Sequence, residues 1–154
     1  MFESVRFTGS LPRWDTAINP ARTFSLRNSI ESKKLWPLEK LVTMHAGDVV
    51  RLPGDRIEAF YSQSWAFARF MLEYNNGQYA PALNQLLKDT AAGNPNDRNQ
   101  ALRRALNLWA PSSVKPMLEK YLGKDLTTIE SQYQEFMRTI AYEQFHRQWT
   151  QAPR

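Results

Sequence analysis

The sequence predicts a compact, all-α, multi-helix domain, and three observations predict it. Apolar residues recur at helical spacing in segment after segment; glycine, proline and asparagine punctuate the chain between those segments; and strand patterns are weak throughout. The chain has 154 residues, which fits one domain. A domain of this size buries roughly 68–70% of its unfolded surface, enough for a core without staples. Apolar residues make up 42% of the chain and aromatics 12%, globular values that exclude wholesale disorder. The expected organisation is a single domain over residues 1–154, with a loop-rich N-terminal segment (1–23), a helical body (24–146) and a frayed tail (147–154). About six to seven helices should surround one buried helix near Arg56–Tyr74.

Between residues 8 and 23, Gly9, Pro12, Asn19 and Pro20 interrupt regular structure, because proline lacks an amide donor and restricts its predecessor. This reads as an ordered loop anchored by Trp14; at best Ser4–Phe7 alternates like a strand. A helix is expected from Thr23, carrying Leu26 and Ile30, with Leu35 at its end. Pro37 suits the first turn of a short helix with Leu38, Leu41 and Val42. Residues 45–54 form a connector, and Pro53-Gly54-Asp55 is a turn and N-cap signal. In the Arg56–Tyr74 helix, Phe60, Phe67, Met71 and Tyr74 line one side. Ile57, Tyr61, Trp65, Ala68 and Leu72 carry the apolar surface well around, so the helix should be buried on several sides.

Asn75-Asn76-Gly77 tolerates left-handed backbone and should end that helix. Four more helical patterns follow. The first bears Tyr79, Leu83, Leu86 and Leu87 and ends around Ala92-Gly93. The second, capped by Asn96 or Asp97, places Leu102, Ala105, Leu106 and Trp109 on one face. The third carries Val114, Met117, Leu118, Tyr121 and Leu122 and is closed by Gly123. Asp125 caps the last, where Leu126, Ile129, Tyr133, Phe136 and Ile140 recur at alternating spacings of three and four, a helical packing face.

The composition removes several function classes. There are no cysteines, hence no disulfides, thiolate zinc sites or cysteine nucleophiles. The net charge is +5, but the basic residues are dispersed among acidic ones. Lys33-Lys34 and Arg103-Arg104 are the densest pairs, so no nucleic-acid partner is expected. No stretch approaches the ~18 apolar residues of a membrane span. Met1–Ser10 has no apolar run resembling a signal peptide, and the compartment is left open. The two histidines lack the H-E-x-x-H spacing: Val49 lies four residues after His45, and Thr150 four after His146. Neither reads as a metal ligand. Phosphate-binding glycine loops and a G-x-S-x-G elbow are also missing, and the scattered carboxylates read as solvated charges.

One run departs from this plain pattern: Phe60-Tyr61-Ser62-Gln63-Ser64-Trp65-Ala66-Phe67, polar in its middle and followed by an apolar helix. Tyr61 has two readings. It is a core tyrosine whose hydroxyl reaches a backbone carbonyl, or it is aimed at an active site, where the hydroxyl donates to a developing oxyanion.

The stretch AFYSQSWAFARFMLEYNNGQYAPALNQLLKD resembles the Y-x-Q-S-W-A segment and following Leu-rich helix of the bacterial peptidase-MA-like proteins, which are gluzincin-type zinc metallopeptidase relatives. Leu35-Trp36-Pro37-Leu38-Glu39-Lys40-Leu41 is similar to their lead-in, and the closing ESQYQEFMR to their final helix. The resemblance spans about residues 24–140 and rests on the order of these segments rather than on one specific motif. It implies a thermolysin-like metal site: an H-E-x-x-H helix, then a W-x-x-E-G helix with the third ligand. This chain has neither, and Phe2-Glu3-Ser4 looks like the tail of that second helix.

The resemblance therefore implies the C-terminal helical half of such a protein, without metal ligands or catalysis of its own. The parent's N-terminal metal-binding half would be its partner, and zinc would belong to that parent. It also implies a role for Tyr61, which matches the tyrosine that stabilises the tetrahedral intermediate in related aminopeptidases; Ser64 stands where glycine is usual. The alternative expectation is a free-standing helical interaction module with an exposed apolar face, binding another protein or self-associating.

Overall fold

The computed structural model describes residues 5–8, 11–14, 19–92 and 114–150. Two short strands, β1 (Val5–Thr8) and β2 (Leu11–Trp14), pair antiparallel with Val5 opposite Trp14 and Phe7 opposite Pro12. Among the described residues seven helices follow: α1 (Pro20–Glu31), α2 (Leu38–Thr43), α3 (Ala46–Val49), α4 (Gly54–Gly77), α5 (Ala80–Ala92), α6 (Val114–Leu122) and α7 (Leu126–Thr150). The body is all-helical, as the patterning predicts. No described helix is long and apolar enough to cross a membrane.

The N-terminal stretch corrects the sequence reading. Leu11–Trp14 is a strand where a loop was expected. In a two-stranded ribbon every strand is an edge, where proline is tolerated, so Pro12 does not forbid pairing. The side chain of Trp14 lies outside the described residues. Helix α1 begins at Pro20, not at Thr23. The Asn19 side chain accepts the Arg22 amide at 3.0 Å, and proline in the first turn sacrifices a donor that has no helical partner anyway. The 45–54 connector contains the single turn α3. Asp55 sits inside the first turn of α4 rather than capping it, since the cap position is Pro53. The helix expected to carry Leu102 and Trp109 falls outside the described residues, as do residues 151–154.

Helix α4 stops as its sequence predicts. Tyr74 turns extended (ψ 130°), and Asn75, Asn76 and Gly77 then take positive φ of 47°, 60° and 81°. Only glycine enters this region without steric cost, and a Cβ on Gly77 would stand 3.2 Å from the Leu72 carbonyl oxygen. Gly77→Ala should therefore cost about 1–2 kcal/mol, measured as a lowered urea midpoint with unchanged slope.

Helix α4 buries Ala59, Ser62, Gln63, Ala66, Arg69, Phe70 and Met71, a set that only partly overlaps the expected stripe of Phe60, Phe67, Met71 and Tyr74. Of those four only Met71 is buried; the other three pack against the core partly covered. Helix α1 packs on both α4 and α7 and buries Thr23, Leu26 and Ser29. The buried hydroxyls are satisfied locally: Thr23 donates to the Asn19 carbonyl at 2.9 Å, Ser29 to Ser25 at 2.8 Å and Ser62 to Ala59 at 3.2 Å. Local bonds of this kind let small polar residues line a helix contact without an unmet polar group. Phe70 centres an aromatic cluster, with ring centroids 4.9 Å from Tyr74, 5.2 Å from Tyr79, 5.6 Å from Tyr133 and 5.8 Å from Phe136. These rings join the end of α4, the entry to α5 and the middle of α7.

Candidate functional site

The chain between α1 and α2 has no helical ladder, so its backbone groups need other partners. The amides of Ser32, Lys33 and Lys34 turn back onto α1 carbonyls; side chains from α4 and α7 take up the groups around Trp36. Gln63 is 0% exposed. Its side-chain oxygen accepts the Trp36 amide at 2.7 Å, and its side-chain nitrogen donates to the Trp36 carbonyl at 2.9 Å. One carboxamide thus makes both bonds that a neighbouring strand would make. Arg56 donates to the Lys34 carbonyl at 2.9 Å, and its guanidinium lies 3.5 Å from the centroid of the Trp36 ring. Glu130 of α7 accepts the Leu38 amide at 3.2 Å.

Tyr133 closes the node from the other side. Its hydroxyl donates to the Gln63 backbone carbonyl at 2.6 Å. Burial holds this phenol well above its ordinary pKa, partly offset by the Gln63 side chain and reinforced by the Glu130 carboxylate, so it remains a protonated donor. Tyr133→Phe should cost about 0.5–1.5 kcal/mol, the usual net worth of one hydrogen bond, since the Gln63 carbonyl keeps its helical partner. Chemical denaturation measures that loss, and a neutral substitution would remove the bond from the account.

Parts of the three segments that carry the sequence resemblance therefore meet: 35–41 through Trp36 and Leu38, 59–89 through Gln63, and 126–138 through Glu130 and Tyr133. What they build is a polar knot that fixes the α1–α2 connection against α4 and α7. It contains an amide, a phenol, a guanidinium and one carboxylate, with no nucleophile and no ligand cluster. Among the described residues no group of three or more histidine, cysteine, aspartate or glutamate side chains is placed to hold a metal. His45 is exposed, and its Nδ1 accepts the Gly47 amide at 3.1 Å; the His146 side chain lies outside the described residues.

Tyr61 is two residues from Gln63 but faces differently. It is 38% exposed, which corrects the core-tyrosine reading; Tyr133 is the residue that fits that description. Its ring meets Phe60 edge-on at 5.6 Å, and the Arg22 guanidinium of α1 lies 5.6 Å from the ring centroid. The ring is thus held from two sides while part of it faces outward. Along α4 from Tyr61, Trp65, Ala68 and Leu72 are partly buried, Trp65 against the core. They continue a stripe from Tyr61 at helical spacing.

Two further polar features were not anticipated. Arg69 is 8% exposed and forks onto Glu73 with bonds of 2.9 and 2.6 Å, with Glu143 of α7 at 3.5 Å. Burial works against the charge on Arg69, but Glu73 and then Glu143 outweigh it and leave its pKa raised. The i,i+4 spacing of Arg69 and Glu73 was readable as an ion pair; the burial was not. The second feature is an open depression of about 530 Å³ lined by Asn28, Ser29, Glu31, Ser32, Lys34, Asp55 and Glu58. Lys34 pairs with Asp55 there and holds that carboxyl below its ordinary pKa. Both partners are well exposed, and such surface pairs contribute little.

No family model, curated protein or solved structure matches the chain.

Proposed function

We propose that the chain is the helical subdomain of a gluzincin-like zinc metallopeptidase relative, not catalytic by itself, which presents Tyr61 to a metal site held by a preceding part of the same parent protein. One observation carries this reading. Parts of the three segments of the resemblance converge on the Gln63 node, which accounts for them as architecture and leaves Tyr61 beside the node, exposed and supported by Phe60 and Arg22. The sequence carries neither H-E-x-x-H nor W-x-x-E-G, so on this reading the ligands come from outside this chain. The part left for this chain is electrostatic: a positioned phenol donates a hydrogen bond to the oxyanion as it forms.

The proposal predicts that the purified chain binds no stoichiometric zinc and does not hydrolyse peptides. Metal analysis with a peptide-hydrolysis assay checks this, and tight zinc at one equivalent, or turnover, would overturn it. The DNA upstream, read in the same frame, should encode H-E-x-x-H and W-x-x-E-G.

A second reading, a free-standing interaction module, draws on the exposed Tyr61 and the partly buried Ala68 and Leu72 along the same helix, which would meet a protein partner. It predicts a tight partner other than the metal-binding half, or a dimer. A monomer by sedimentation that captures no other protein would count against it.

A further inference from the structure

We draw no further inference here: the strongest candidate, the surface patch of exposed Tyr61 and partly buried Ala68 and Leu72 along α4, belongs to the face already discussed, and nothing in the structure shows what covers it.

Discussion

Gln63→Ala should destabilise the fold by about 2–4 kcal/mol, because it strands two partly buried backbone groups at once. The Trp36 amide and carbonyl both lose their partner, and the connection they belong to has no helical ladder to fall back on. A typical domain has only about 5–15 kcal/mol in total, so the variant should be near the edge of folding at growth temperature. Gln63→Glu sharpens the point. Its ionised form keeps the acceptor for the Trp36 amide but sets a second acceptor, and a buried charge, against the Trp36 carbonyl. Burial would raise the folded-state pKa of that carboxyl. The protonated form can donate as the amide does, so the penalty should be small below the ordinary carboxyl range and grow as pH rises. Urea midpoints for both variants across pH 4–8 measure this. A Gln63→Glu penalty independent of pH would show that the carbonyl contact does not carry the stabilisation.

Much of the helical body was legible because it rests on local signals. The Asn75-Asn76-Gly77 stop, the Gly123 break (φ 66°) and the Asp125 cap, whose carboxylate accepts the Thr128 amide at 2.9 Å, each follow from the chemistry of one or two residues. The face of α7 was also readable, with Leu126, Ile129, Tyr133 and Ile140 all buried. The phase of α4 was not. Its bulky apolar residues surround the helix, so hydrophobicity could not say which side faces the core, and the buried side turned out to hold the small and polar residues Ala59, Ser62, Gln63 and Ala66. Gln63 is buried there because its partners lie far away in sequence: Trp36 is 27 residues from it, and Tyr133 is 70. A residue pattern records local period, not a distant carbonyl. The hairpin is illegible for the opposite reason: proline reads as a breaker, and a local pattern does not show that both strands are edges, where proline is tolerated.

The site reading shows the same division. Tyr61 was singled out from its neighbours, but the sequence left its direction open. Its exposure separates it from the architecture and leads to the second large effect. On the proposed reading, Tyr61→Phe in a zinc-loaded parent should lower kcat by about 10²–10³-fold, the usual consequence of removing one donor from an oxyanion site. KM should change little, because the bond strengthens only as charge develops. The same substitution should leave stability within about 0.5 kcal/mol, as is usual for a surface change.

The most direct test of the proposed function is therefore kcat for peptide hydrolysis by a zinc-loaded parent of the kind proposed, wild type against Tyr61→Phe, with the urea midpoint measured on the same samples. The account predicts a fall in kcat of about two to three powers of ten at an unchanged midpoint. An unchanged kcat, or a loss of activity that merely follows a loss of fold, would contradict it.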